Sequence, residues 1–99
     1  MAVILRRPQF VEDLYGIWRF IARDSEARAD DFILELEMRY EILANNPLLG
    51  VQRFRRYPRL RMFPYRSYII IYDPIPDGSG IELIRILNAA RDYHRYFDE

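Results

Sequence analysis

The 99-residue chain has no cysteine and no lysine, and its only histidine is His94. Without cysteine there is no disulfide framework, no thiol nucleophile and no thiolate-bound zinc, and a lone histidine excludes a multi-histidine metal site. The fifteen carboxylates show no calcium-loop spacing, so neither a metal nor another cofactor is expected. No uncharged apolar run reaches the roughly 18 residues needed to cross a bilayer. The opening MAVILRRPQF places its charges after a short apolar run, the reverse of a secretory signal, so a cytoplasmic location without membrane contact is expected. A phosphate-binding loop, a dinucleotide fingerprint and a Ser/His/Asp signature are also missing.

What remains is rich in apolar and aromatic residues. With 51% hydrophobic and 15% aromatic content the chain has material for one core, and residues 1–99 read as a single domain. The formal net charge is zero, and all fifteen cations are arginines, a bias that genome base composition accounts for equally well. Their distribution says more. Between Glu41 and Asp73 there is no carboxylate, while Arg53, Arg55, Arg56, Arg59, Arg61 and Arg66 fall inside that interval. From Glu12 to Glu41 nine carboxylates face four arginines, so an acidic and a basic surface are expected.

Residues 2–6 are β-prone and stop before Pro8, which suits the first turn of a helix. Phe10, Leu14, Ile17, Trp18 and Ile21 form one helical stripe, predicting a helix over about residues 8–23. Asp24-Ser25 caps a second helix whose stripe is Ala29, Phe32, Ile33, Leu36, Tyr40 and Leu43 and which Asn45-Asn46-Pro47 ends. Residues 47–57 read as a loop. Strands are predicted over 59–63, over a central run 65–72 and over 81–87, with a turn cluster at 73–80 and at most a partial helix in the tail from Asn88. The order β-α-α-β-β-β gives an α+β fold in which the helical hairpin covers one face of an antiparallel sheet, strand one pairs at the side of the meander, and the other face is left uncovered.

Arg59, Arg61 and Arg66 on predicted strands are candidates for binding an anionic partner, because guanidinium forks donate bidentate hydrogen bonds. The alternative is that they keep an open sheet face soluble. Arg85, between Ile84 and Ile86, is either a further contact or a structural residue paired with a carboxylate. The tail gathers Arg91, Asp92, Tyr93, His94 and Arg95; this is acid, base and phosphate-clamp chemistry if the chain is a nuclease, and an exposed bystander set otherwise. Trp18, Phe32 and Tyr40 are expected in the core.

The run Pro64-Tyr65-Arg66-Ser67-Tyr68-Ile69-Ile70-Ile71-Tyr72, followed by Ile84-Arg85-Ile86-Leu87-Asn88-Ala89-Ala90-Arg91-Asp92, resembles the RelE/ParE toxin superfamily. Asp13-Leu14-Tyr15-Gly16-Ile17-Trp18 in the first helix and Pro47-Leu48-Leu49-Gly50 before the meander are most similar to the ParE branch. The resemblance spans the chain and departs at Asn88, where histidine is usual. It implies the toxin of a type II toxin-antitoxin module, neutralised in a hetero-oligomer by a cognate antitoxin. In the ParE branch the implied target is DNA gyrase; in the RelE branch it is messenger RNA cut on the ribosome, and the fold serves both. A ribonuclease would draw on Arg61, Arg91, Tyr93 and His94; a protein-directed toxin would use Arg59, Arg61, Arg66, Arg85, Arg91 and Arg95 as target or antitoxin contacts.

Overall fold

The computed structural model describes residues 1–92. Its elements are β1 (Val3–Arg6), α1 (Pro8–Ala22), α2 (Glu26–Asn45), β2 (Arg61–Tyr65), β3 (Tyr68–Pro74) and β4 (Gly80–Asn88). Local chemistry sets the helix limits. Pro8 opens α1 after an extended Arg7. Ser25 caps α2 by accepting the Arg28 amide at 3.2 Å. At the far end the side-chain amides of Asn45 and Asn46 donate to the carbonyls of Glu41 and Ile42 at 2.8 and 2.9 Å, satisfying terminal acceptors before Pro47.

The sheet order is β1-β4-β3-β2. Strands β2, β3 and β4 form the expected antiparallel meander, and β1 joins its side parallel to β4. The helical hairpin covers one face: Phe10, Leu36, Tyr40 and Leu43 meet Ile70, Tyr72, Leu83 and Ile86 in the main core. Trp18, expected in the core, is instead half-buried outside this cluster, its indole N–H donating to Asp30 at 2.9 Å across the hairpin.

Two expectations need correction. The run 65–72 is not one strand: it turns at Arg66-Ser67, with Tyr65 opposite Tyr68, and Pro64 lies within β2, an edge strand where a missing N–H is tolerated. Arg66 therefore occupies a hairpin turn, and Arg59 a loop turn before β2, rather than strands. The second sheet face is not bare either. Ile69, Ile71 and Leu87 form a second cluster, against which Phe54 and Leu60 of the α2–β2 connection pack. Three consecutive isoleucines at 69–71 put apolar surface on both sides of β3, so both sides must be covered.

Candidate functional site

Strand β1 ends at Arg6 opposite Leu83, leaving the remainder of β4 paired with β3 on one side and without a strand on the other. A bulge follows at once: Tyr72 faces Leu83 and Ile71 faces Arg85, so Ile84 is the extra residue. Bulges re-aim side chains and end regular pairing. Here α1 supplies what a strand would have supplied. Asp13 accepts the Ile86 amide at 3.2 Å and the Arg85 guanidinium in a fork, Nε at 2.7 Å and Nη2 at 3.1 Å. The side chains of Arg85 and Asp13 are 26% and 11% exposed, so the pair is largely withdrawn from water.

Beyond this pair β4 runs into a helical turn that begins at Ala89. Asn88 caps it, its Oδ1 accepting the Arg91 amide at 2.8 Å, while Asp92 returns to accept the Asn88 amide at 3.1 Å. This is the physical role of Asn88 in the fold. Arg91 bonds Asp92 through Nε and Nη2, both at 3.2 Å. That hydrogen bond and the charge of Asp92 raise the Arg91 pKa above its ordinary value. These groups, with Glu12, Gly16, Phe20 and Tyr68, line a cleft of about 340 Å³ between α1 and the end of β4.

A second polar cluster fixes the β2–β3 hairpin to α2. Arg66 sits at φ 53°, a left-handed backbone that costs a side-chain-bearing residue energy. Its guanidinium donates to Glu35 at 2.7 Å, and the Tyr65 hydroxyl donates to the same carboxylate oxygen. The Tyr65 hydrogen bond, and after it that of Arg66, holds the Glu35 carboxyl below its ordinary value of 4.5.

Among the residues proposed from sequence, Arg85 is a structural partner of Asp13, and Arg91 stands at the cleft rim with its side chain 77% exposed. Arg59 pairs with Asp73 at 3.3 Å. Arg61 donates to the carbonyls of Leu48 and Gly50 at 3.1 and 2.7 Å, bracing the connection after α2. Arg61 faces Tyr72 whereas Asn88 faces Tyr68, so Arg61 and the Arg91 turn lie about 13 Å apart along β3 at ~3.3 Å per residue, and on opposite sides of it. The fold does not bring them together. Tyr93, His94 and Arg95 lie outside the described residues. Asp13 was read only as part of the first-helix motif and not as the partner of Arg85; the signal that could have found this role is an arginine between isoleucines, which needs a buried acceptor.

The family described as "ParE toxin of type II toxin-antitoxin system, parDE" matches residues 4–93. Among solved structures, the chromosomal ParDE toxin-antitoxin system from P. aeruginosa superposes with a TM-score of 0.70 at 15% identity, over 89% of this chain and 96% of that one. A mutant of the E. coli toxin RelE in the free state superposes with a TM-score of 0.60 at 16% identity, over 99% of this chain and 96% of that one. No curated relative matches in sequence. At such identities the structures speak for the fold, an α-helical hairpin on a four-stranded sheet, whereas the family match extends through β1, both helices, the meander and the Arg91-Asp92 turn. The chain belongs to the ParE toxin family of type II toxin-antitoxin systems.

Proposed function

We propose that the chain arrests bacterial growth by inhibiting DNA gyrase and is neutralised by a cognate antitoxin that covers its exposed apolar and cationic surfaces. The observation that carries this reading is the match of residues 4–93 to the ParE family, the branch in which gyrase inhibition is the implied activity. The site geometry agrees with a protein-directed action. An RNA-cleaving site would need Arg61 close to Arg91, Tyr93 and His94, yet Arg61 holds two loop carbonyls at a distance from the Arg91 turn.

The contact arginines divide by accessibility. Arg59, Arg66 and Arg91 have side chains 63%, 60% and 77% exposed and retain donors for a partner. Arg61 and Arg85 act from behind, as braces, and Arg95 completes the proposed set in the tail. On α2, Leu34, Met38 and Ile42 are exposed at four-residue spacing, an apolar stripe suited to a wrapping antitoxin segment. No described helix is long and apolar enough to cross a membrane.

Controlled expression of the chain without its antitoxin tests the reading, with growth, plasmid supercoiling and bulk message integrity followed together. Growth arrest with lost supercoiling and intact message is expected. Arrest with cleaved message would replace gyrase by the RelE-like activity, and normal growth would remove the toxin reading altogether.

A further inference from the structure

The fold employs Arg59, Arg61 and Arg66 in internal contacts, with Asp73, two loop carbonyls and Glu35. Arg53, Arg55 and Arg56, the other half of the cationic block, differ. All three are exposed, and among the described residues their side chains make no hydrogen bond or ion pair.

They are nonetheless held in place. Residues 52–60 leave the sheet after the Val51–Met62 bridge and fold into a braced excursion. The Gln52 side chain donates to the Pro58 carbonyl at 2.7 Å, closing its base. The Tyr57 amide donates to the Phe54 carbonyl at 3.1 Å and the Leu60 amide to the Tyr57 carbonyl at 3.0 Å. Phe54 and Leu60 anchor it on the Ile69 and Ile71 face of the sheet. The backbone that carries these three neighbouring arginines is thus braced, and no carboxylate pairs with them among the described residues, an arrangement that favours capture of an anion.

The excursion's composition selects the anion. A protein partner is usually met by an apolar centre within a polar rim, but the exposed side chains of residues 52–59 are Gln52, four arginines and Tyr57, with Pro58 the single aliphatic one. They offer guanidinium forks and the Tyr57 ring, which is 59% exposed. Forks that grip phosphates beside an aromatic face that accepts a base are the two components of a single-strand contact.

We propose that residues 52–60 form a contact for single-stranded nucleic acid, in which Arg53, Arg55 and Arg56 take backbone phosphates and Tyr57 stacks a base. The inference is independent of the gyrase reading and needs no cleavage chemistry. Because the net charge of the chain is zero, attraction is local to this loop, and binding is accordingly modest and sensitive to salt.

Fluorescence anisotropy of a labelled oligothymidylate, titrated with the purified chain at several salt concentrations, tests it. The affinity should fall with salt. Replacing Arg53, Arg55 and Arg56 together by alanine should weaken binding at least about tenfold and reduce the log–log salt slope by about 2, at roughly 0.7 per phosphate contact. Replacing the three by lysine should preserve the slope, and Tyr57→Ala should lower affinity roughly tenfold with the slope unchanged. Unaltered thermal unfolding of these surface variants separates lost contacts from lost structure. Absence of oligonucleotide binding, a salt slope indifferent to the alanine replacements, a duplex bound as tightly as the single strand, or displacement of the oligonucleotide by an equal concentration of polyglutamate would overturn the proposal.

Discussion

Asp13 joins two parts of the molecule that are distant in sequence. One carboxylate accepts from the Arg85 guanidinium and the Ile86 amide where β4 runs on past the end of β1. Removing it takes the fork from a largely buried cation and the acceptor from a strand amide, a change worth about 3 kcal/mol. Asp13→Ala should therefore lower Tm by more than about 10 °C, read by thermal unfolding. Adding Arg85→Met should restore much of the loss, because the pair's weight lies in not being broken rather than in being charged. A single variant as stable as the parent would show that the fork is dispensable. Arg85 also marks the limit of what a sequence discloses at this scale. Its position between two isoleucines declares a need for a partner, but the identity of that partner depends on where α1 passes β4. Arg66 is similar: a left-handed turn residue with a long side chain has no local rationale, and its reason, the Glu35 carboxylate, belongs to another element.

Among the elements, the helices were legible because their signals are local. Pro8, Ser25 and the Asn46-Pro47 pair act within a turn of where they stand, and the apolar stripes show the buried side directly. The strands were less so. Residues 65–72 read as one run because Arg66-Ser67 contains neither glycine nor asparagine, the residues that ordinarily signal a two-residue hairpin turn. The connection after α2 was unreadable for a different reason: long-range contacts shape it. Gly50 shows this best. Its amide donates to the Tyr72 hydroxyl at 2.7 Å, that hydroxyl donates to the Pro47 carbonyl at 2.8 Å, and a Cβ at Gly50 would lie 2.6 Å from the same oxygen. Gly50→Ala should destabilise the fold by about 1–3 kcal/mol through this overlap. Chemical denaturation measures the loss, and a neutral result would mean that the connection moves aside without cost.

On the scale of the whole molecule, the two sides of the sheet carry different chemistry. The helical hairpin carries nine of the carboxylates and the apolar stripe on α2, whereas the second sheet face is roofed by an arginine-bearing excursion. The superfamily was legible from motifs along the chain, and the family match spans the same elements. The target was not, since one fold serves gyrase inhibition and message cleavage alike and the choice depends on which side chains converge. The convergence needed for RNA cleavage was placed by the sequence on Arg61, which braces a loop in the fold, on Arg91 at the cleft rim, and on Tyr93 and His94, which lie outside the described residues. The most direct measurement of the central claim is the supercoiling of relaxed plasmid by purified gyrase with increasing amounts of the purified chain, in the absence and presence of its antitoxin. A dose-dependent loss of supercoiling that the antitoxin reverses is the predicted result; full supercoiling activity at saturating chain would contradict it.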